Sequence, residues 1–220
     1  MHVVVNAAVS VDGKLSTRER TQVELSGPAD FDRVDGLRAE SDAVMVGVGT
    51  VLADDPSLTV KSEERVVARR ERGDTAQPTR VVADSHVRTP PDAQVLDDAA
   101  ETVLLVSESA PPDSLAQMQS RGATVIAAGA DRVDLATALR ELEEHGIERL
   151  LVEGGGELIY SLFAEDLVDR LSVYVASFVV GGADAPTLVD GVGFTGEFPA
   201  LSLDTVERID DGVLLTYDVA

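Results

Sequence analysis

The chain has 220 residues, no cysteine and a formal net charge of −22, and 44% of its residues are hydrophobic. The apolar fraction is typical of a folded globular protein, and the length suits one large domain. The absence of cysteine excludes disulfides, a thiolate nucleophile and a cysteine-ligated zinc site. The negative charge disfavours nucleic acid and anionic membranes as partners, because proteins bind these polyanions through Lys and Arg.

The basic residues include only two lysines, Lys14 and Lys61, alongside sixteen arginines. Repulsion among the excess carboxylates is screened within about 3 Å in molar salt. We therefore interpret the chain as a cytoplasmic protein of a halophile that accumulates salt, with an acidic mesophilic protein as the alternative. We expect neither a signal peptide nor a membrane span, because the N-terminal strand lacks a basic region and no apolar run reaches roughly 18 residues.

The N-terminal part of the chain is predicted to alternate strands and helices. Residues 2–9 form a continuous apolar run, which predicts a buried strand. Residues 26–41 predict a helix, with Ser26 as its cap. Three- and four-residue spacing places four of its residues on one face, directed toward the sheet: Phe31, Val34, Leu37 and Arg38.

Two further segments complete this half. Residues 43–47 predict a second buried strand, and 49–56 a short helical turn that Pro56 stops. Residues 61–79 are highly charged and predict a surface excursion, because both flanks resemble parts of one sheet.

The remaining predicted elements continue the alternation to the C-terminus. They are strands at 80–84 and 103–106, a helix at 112–121, a strand at 124–128, a helix with the apolar stripe Leu135, Ala138, Leu139 and Leu142, a strand at 148–153, a helix after Gly154–Gly156, a strand at 170–182, and a hairpin of 201–209 and 212–219 that turns at Asp211-Gly212. This order predicts an α/β fold with a mostly parallel sheet, helices on both faces and a C-terminal antiparallel hairpin. We find no second domain boundary within residues 1–220.

The strongest local motif is LLVEGGGEL at 150–158. A buried strand ends, three glycines turn the chain and a helix begins, which is an arrangement that binds phosphate groups through free backbone N–H groups. The spacing differs from the dinucleotide motif G-x-G-x-x-G, so a tight structural turn is the alternative.

A second strand ends in glycines at VGVGTVLADDP, residues 46–56. Thr50 supplies a hydroxyl and Asp54 a carboxylate four residues later. Two such sites on one sheet suit a two-part ligand, a cofactor and a substrate. The alternative for Asp54 and Asp55 is a generic acidic surface, and we expect no metal there.

Other catalytic motifs are absent from the sequence. It contains no G-x-S-x-G, H-E-x-x-H or P-loop motif, and its three histidines are scattered: His2, His86 and His145.

Five segments together resemble one family: NAAVSVDGKLS (6–16), LRAESDAVMVGVGTVLADDPSLTV (37–60), PTRVVADSHVRTP (78–90), LLVEGGGEL (150–158) and VGGADAPTLVDGVG (180–193). Their order resembles the riboflavin-pathway reductases, the stand-alone archaeal and fungal form of the C-terminal domain of a bacterial bifunctional deaminase-reductase. The resemblance covers essentially the whole chain.

The resemblance implies a dihydrofolate-reductase-like fold, a homodimer and NADPH as cofactor, with NADH possible. The implied reaction reduces the ribosylamino side chain of 2,5-diamino-6-ribosylaminopyrimidinone 5′-phosphate to the ribitylamino product. The bacterial proteins act after deamination, on the pyrimidinedione. Ring opening of the ribosylamine gives an imine carbon that accepts a hydride, and we assign no side chain as catalytic acid.

The resemblance also assigns site residues. Those matching cofactor contacts are Ala8, Thr50, Asp54, Ser85, Gly155, Gly156, Glu157 and Leu158; those expected to contact substrate are Arg38, Leu58, Lys61 and Glu153. The bacterial proteins carry arginine at the position of Lys61 and lysine at that of Asn6, so the role of that lysine does not transfer.

Three charged residues each have two possible roles. Arg88 is placed to bind the 2′-phosphate of NADPH or is a solvated loop residue. Arg38 binds the substrate phosphate or forms a structural ion pair. Glu153 binds the pyrimidine or caps the amides of residues 155–157. For the whole chain, the alternatives are a reductase of the same fold with another pyrimidine or pterin substrate, and a non-catalytic nucleotide-binding protein.

Overall fold

A computed structural model describes residues 1–21 and 23–220. The nine strands belong to one mostly parallel sheet with antiparallel C-terminal strands, which confirms the predicted α/β class. In chain order the elements are β1 (His2–Ser10), α1 (Pro28–Glu40), β2 (Ala43–Gly47), α2 (Val48–Asp54), α3 (Glu63–Glu71), β3 (Thr79–Ala83), a 3₁₀ turn (Gln94–Leu96), β4 (Thr102–Val106), α4 (Pro112–Ser120), β5 (Thr124–Ala127), α5 (Leu135–Glu144), β6 (Arg149–Gly154), α6 (Gly156–Ala164), β7 (Arg170–Ala176), β8 (Leu201–Ile209) and β9 (Gly212–Val219).

The chain forms two compact units. The first contains Met1 and Asp35–Leu151, and the second contains His2–Val34 and Val152–Ala220. In the first unit β5, β4, β3 and β2 pair in parallel in that order. The central residues of β2, β3 and β4 are fully buried, which explains why these strands contain continuous apolar runs rather than alternating ones.

The predicted stripe of α5 is confirmed. Its four members are all buried in the first unit: Leu135, Ala138, Leu139 and Leu142. Asp134 caps the helix by accepting from the N–H of Thr137 at 2.8 Å, and Gly146 follows the helix with a φ of 87°. That left-handed conformation is accessible to glycine without a steric penalty, so the helix ends there.

The charged segment 61–79 is not only a surface excursion, because it contains helix α3. Ser62 accepts from the N–H of Arg65 as a cap, and acidic and basic residues occupy the first and last turns as the helix dipole favours. Arg69 is buried and donates to the carbonyls of Ala39 and Ser41 at 2.8 and 2.7 Å. It therefore satisfies backbone acceptors at the C-terminal end of α1, a role that the charge pattern does not reveal.

In the second unit β1 pairs with β7 in parallel, and β9 pairs antiparallel with both β7 and β8. Strand β7 ends at Ala176, so the predicted strand over 170–182 is too long. The hairpin turns at Asp210-Asp211 and not at Asp211-Gly212. Gly212 begins β9, where a Cβ atom would lie 2.4 Å from the ring of Tyr174.

The predictions of the residue that caps α1 and of the buried face of this helix are both wrong in part. Ser26 donates to Asp30, while the carboxylate of Asp210 accepts from the N–H groups of Ala29 and Asp30 at 3.1 and 3.0 Å. Phe31 is 55% exposed, so it does not belong to the buried face. A residue almost two hundred positions away therefore caps this helix.

Candidate functional site

The exit from β2 carries two predicted cofactor contacts. Thr50 and Asp54 are four residues apart on α2, so they lie on the same side of that helix. A Cβ atom at Gly49 would meet no atom within 4 Å, so open space adjoins this exit. Burial raises the pKa of Asp54. Asp55 instead binds Gln94, accepting from its N–H at 2.8 Å, which gives this aspartate a structural role.

The exit from β3 is a turn organised by Asp84. This carboxylate is completely buried and accepts from the N–H and Oγ1 of Thr89 at 2.7 and 2.8 Å. Val87 has a φ of 54°, a strained conformation for a β-branched residue. The turn presents Arg88, whose side chain is 60% exposed and whose Nε lies 4.0 Å from Asp84.

The second residue of that turn, Ser85, is half-buried. Its Oγ accepts from the N–H of Val133 at 3.1 Å, and its carbonyl accepts from the N–H and Oγ of Ser107. A hydroxyl that accepts one hydrogen bond keeps its own proton to donate. Ser85 and Arg88 thus lie in the same turn after β3.

Three of the four predicted substrate residues meet around Thr59. Arg38 Nη1 donates to the Thr59 carbonyl at 3.1 Å, and Lys61 Nζ donates to Thr59 Oγ1 at 2.9 Å. Leu58, the residue before Thr59, is buried with a φ of 51°. For a leucine this backbone conformation costs about 1–2 kcal/mol.

The ammonium group of Lys61 is held by hydroxyl groups. It donates to Ser57 Oγ at 2.7 Å as well as to Thr59. Within residues 1–21 and 23–220, Lys61 forms no ion pair. Both acceptors are neutral hydroxyls, and the charge of Lys61 also acts on the carboxylate of Asp97. The ammonium group can still attract a further anion.

Asp35 holds the backbone that carries Lys61. It accepts from the N–H groups of Lys61 and Ser62 at 2.5 and 3.1 Å, and from Arg65 Nη1 at 3.0 Å. Burial alone would raise the pKa of Asp35, but the hydrogen bonds from Lys61, Arg65 and Ser62 outweigh it and lower the pKa. Asp35 is therefore ionised at neutral pH. Sequence reasoning missed this residue because its partners lie 26 to 30 positions away.

In the second unit, the glycine turn leads into α6 as predicted. Gly155 has a φ of 99° and, as a glycine, supplies no side-chain cap to the helix. The first N–H groups of a helix have no partner within it, so this end can bind an anion. The segment supplies the predicted residues Glu153, Gly155, Gly156, Glu157 and Leu158.

Gly156 has a structural requirement of its own. A Cβ atom there would lie 2.5 Å from the carbonyl of Thr187 and 2.9 Å from Asp190. The Asp190 carboxylate accepts from Oγ1 of Thr187, and the N–H of Asp190 donates to the carbonyl of Gly156 at 3.0 Å. Close packing of the loop 187–190 therefore explains this glycine without a ligand.

The SVDGK motif forms a turn after β1. Asp12 accepts from Ser10 Oγ at 2.6 Å and from the N–H groups of Val180 and Gly181 at 3.0 and 2.8 Å. These bonds, that of Ser10 first, lower the pKa of Asp12 to about 2. Lys14 donates to the carbonyl of Ala185. Two motifs far apart in sequence are thus joined near the end of the strand that carries Ala8.

A buried polar cluster beside β1 was missed by sequence reasoning. Arg33 of α1 donates to Asn6 Oδ1 at 2.8 Å, to Ser172 Oγ at 3.1 Å and to Asp30 Oδ1 at 2.8 Å. We call these four residues the Arg33 cluster. Its only signal in the sequence was Asn6, a single polar residue inside the apolar run of β1.

A cleft of about 410 Å³ opens elsewhere in the first unit. It is lined by residues at the amino ends of β3, β4 and β5, among them Thr79, Thr102 and Ala123. It contains none of the predicted site residues. Ligands of open α/β sheets bind at the carboxyl ends of strands, so this cleft is not the candidate site.

Neither a membrane-spanning helix nor a metal site is found in the described part of the chain. No helix of residues 1–21 and 23–220 is long and apolar enough to cross a membrane. No group of three or more His, Asp or Glu side chains in those residues could hold a metal ion.

Comparison with known proteins gives matches along almost the whole chain. The model of the RibD C-terminal domain family matches residues 1–215. A 2,5-diamino-6-ribosylamino-4(3H)-pyrimidinone 5′-phosphate reductase of Archaeoglobus fulgidus is 44% identical over 98% of this chain and 96% of its own. The protein of that name from Methanothermobacter thermautotrophicus is 50% identical over 92% of this chain and 90% of its own.

Among solved structures, a pyrimidine reductase-like protein of Corynebacterium diphtheriae is similar in fold. It superposes with a TM-score of 0.88 and 17% sequence identity, over 100% of this chain and 92% of that one. At this identity the likeness concerns the fold alone, and it agrees with the predicted dihydrofolate-reductase-like architecture.

Proposed function

Because this chain belongs to the RibD C-terminal domain family, we propose that it is the reductase of riboflavin biosynthesis that acts on 2,5-diamino-6-ribosylaminopyrimidinone 5′-phosphate. The proposal depends chiefly on the 44% and 50% identity to two archaeal proteins of that name, which extends over 98% and 92% of the chain. We also propose that residues 1–220 form a single reductase domain.

A nicotinamide cofactor follows from the family, and we propose NADPH, with NADH as a possible substitute. The residues present fit such a group: Gly49 adjoins open space, and Gly155 supplies no side-chain cap to α6. Thr50 and Asp54 would bind it beside α2, while Ser85 and Arg88 would bind from the β3 turn. In the second unit, Ala8 and the segment Gly155–Leu158 would contribute.

We assign the substrate phosphate to the residues around Thr59. The guanidinium of Arg38 and the ammonium of Lys61 both bind Thr59, and two cations suit a phosphate dianion. Leu58 shapes the same loop. We assign Glu153 to the pyrimidine, where a carboxylate accepts N–H bonds from amino groups.

The mechanism we propose depends on positioning rather than on acid catalysis by a side chain. When bound, NADPH would supply the hydride that reduces the imine carbon of the opened ribosylamine. The chain's residues hold the substrate by its phosphate and its pyrimidine, so that this carbon is fixed in place. We assign no catalytic acid, and water or a substrate group supplies the proton to the nitrogen.

A second candidate function differs only in the substrate. Bacterial proteins that resemble this chain act on the deaminated pyrimidinedione. An amino group at position 2 donates hydrogen bonds, whereas an oxo group accepts them. The carboxylate of Glu153 therefore favours the amino form.

The test is NADPH oxidation at 340 nm in high potassium chloride, with each pyrimidine offered in turn. We expect turnover with the diaminopyrimidinone. Turnover only with the pyrimidinedione would favour the second candidate, and no NADPH oxidation with either would favour a nucleotide-binding protein.

We further propose that the protein is a homodimer and works in the cytoplasm. Among the strands of residues 1–21 and 23–220, β8 pairs only with β9, and it exposes Leu201, Leu203 and Val206 by 43%, 54% and 59%. Such an apolar edge strand suits a second copy of the chain. The cytoplasm is where NADPH and a phosphorylated sugar derivative are retained.

A further inference from the structure

The segment between α2 and α3 carries two of the proposed substrate residues, Leu58 and Lys61. Residues 55–62 form neither helix nor strand, and we call residues 57–62 the Thr59 loop. Leu58 is 1% exposed and has a φ of 51°. A leucine keeps that conformation only where the surrounding structure enforces it. Contacts from other parts of the first unit must therefore hold this loop.

Gln77 holds the loop at Val60. The N–H of Val60 donates to Gln77 Oε1 at 2.7 Å, and Gln77 Nε2 donates to the carbonyl of Val60 at 3.1 Å. The side-chain amide thus makes both hydrogen bonds that a residue of a neighbouring strand would make. A carboxylate could not replace it, because it has no proton to donate. Since Gln77 comes two residues before β3, this pair joins the loop to the sheet of the first unit.

Asp35 holds the next two residues of the loop. Its Oδ1 accepts from the N–H of Lys61 at 2.5 Å, and its Oδ2 accepts from the N–H of Ser62 at 3.1 Å. Arg65 Nη1 donates to Oδ2 at 3.0 Å and so fixes the carboxylate. Three successive N–H groups, those of residues 60, 61 and 62, therefore have side-chain acceptors 17 to 27 positions away.

The two cations assigned to the substrate phosphate both depend on the backbone of the Thr59 loop. Lys61 belongs to the loop, and its Nζ donates to Ser57 Oγ and Thr59 Oγ1 at 2.7 and 2.9 Å. Arg38 donates to the carbonyl of Thr59 at 3.1 Å. A site whose groups are ordered before the ligand arrives binds more tightly, because binding does not have to order them.

We propose that Asp35 and Gln77 are positioning residues that hold the Thr59 loop in the geometry that binds the 5′-phosphate of the substrate. They thereby determine how strongly the enzyme prefers a phosphorylated pyrimidine over the same pyrimidine without its phosphate. In this role neither side chain contacts the substrate, since both act through the backbone of residues 60–62. This inference rests on the proposed function, which supplies the phosphorylated substrate.

The experiment uses Asp35→Asn and Gln77→Glu in the full chain, purified in high potassium chloride. Both variants keep the size of the side chain, but each replaces one hydrogen-bonding group by its opposite. We expect KM for the phosphorylated pyrimidine to rise about tenfold in each variant. KM for the dephosphorylated pyrimidine and the dissociation constant for NADPH should stay nearly unchanged. If the dephosphorylated compound turns over too slowly, its inhibition constant replaces its KM.

Two control variants make the same chemical changes elsewhere in the first unit. Asp74→Asn breaks an ion pair with Arg72 that has an N–O distance of 3.0 Å, and Gln119→Glu adds a carboxylate to the exposed face of α4. Neither residue contacts the Thr59 loop. Both variants should leave KM for the phosphorylated pyrimidine nearly unchanged.

Two results would overturn the proposal. One is an unchanged KM for the phosphorylated pyrimidine, which would exclude the variant residue from the positioning role. The other is an equal rise in KM with and without the phosphate, which would show a general structural defect. Asp35→Glu and Gln77→Met replace the first two variants if these do not fold. A native chain that oxidises NADPH with neither the diaminopyrimidinone nor the pyrimidinedione would instead contradict the proposed function, so the two failures are distinguishable.

Discussion

At the scale of single residues, the arginines of this chain differ in how firmly their guanidinium groups are held. Arg33 and Arg69 are embedded in hydrogen bonds, whereas Arg88 is 60% exposed and only approaches Asp84. Hydrogen bonds from Thr89 to the buried Asp84 hold the turn that carries this exposed cation. The geometry of the turn thus supports a ligand-binding role for Arg88 better than the sequence alone does.

Arg88→Ala should weaken NADPH binding by about 1–3 kcal/mol and leave NADH binding nearly unchanged, because only NADPH carries the 2′-phosphate. Fluorescence titration with both cofactors measures the difference. Arg140→Ala, on the exposed face of α5, is a matched control that removes the same charge. Equal weakening of both cofactors by Arg88→Ala would place the phosphate elsewhere.

Two substitutions separate substrate contacts from scaffold. Arg38→Lys keeps the charge but loses the planar fork, so the substrate KM should rise while NADPH affinity is preserved. Glu153→Gln should lower kcat/KM for substrate in the same way, because an amide accepts N–H bonds less well than a carboxylate. Steady-state kinetics and cofactor titration check both. Loss of NADPH binding or of folding with an unchanged KM would assign that residue to the scaffold.

At the scale of elements, helix ends are held by partners distant in sequence. Asp210 accepts from the first N–H groups of α1, and a Cβ atom at Gly27 would lie 2.5 Å from its carboxylate. At the other end of α1, Arg69 binds the carbonyls of Ala39 and Ser41. Position in the fold, not local propensity, determines where this helix is stabilised.

Asp210→Ala should lower the free energy of unfolding by about 1 kcal/mol, the usual cost of losing a helix cap. Urea denaturation followed by circular dichroism measures it. The neighbouring Asp211→Ala removes the same charge from the same turn without removing the cap. If both variants lost equal stability, the effect would be one of turn charge and not of capping.

The strands and the helix stripe were predictable because their patterns are local. The runs at 43–47 and 80–84 and the stripe of α5 depend only on neighbours within a few residues. The buried face of α1 was not predictable, since its periodic pattern includes the exposed Phe31. The contact of Arg33 with Asn6 and that of Asp35 with Lys61 join positions 26 or more apart, and no local pattern encodes such pairs. The site motifs were found through their resemblance to a family. The Arg33 cluster could be recognised only from the folded structure.

At the scale of the whole molecule, charge balance is the property that no single element explains. The ion pairs within each unit use arginines that lie close to carboxylates, for instance Arg149 with Asp42 at 2.6 Å and Arg65 with Asp35 at 3.0 Å. With 40 acidic against 18 basic side chains, most carboxylates still lack a cation. The carboxylates without a partner repel one another when the chain is folded.

Folding should therefore depend on salt, and the thermal unfolding temperature at pH 7 should rise by many degrees between dilute and molar potassium chloride. The reason is that the screening length falls from about 30 Å at 0.01 M salt to about 3 Å at 1 M, so surplus carboxylates cease to repel one another. Differential scanning calorimetry across that range measures the shift. The same titration near the isoelectric point of about 4.3 is the control, because the net charge is then close to zero and the salt effect should shrink. An unfolding temperature that stays flat at pH 7 would refute the interpretation as a halophilic protein. A rise of equal size at both pH values would show that salt acts through hydrophobic burial rather than through charge screening.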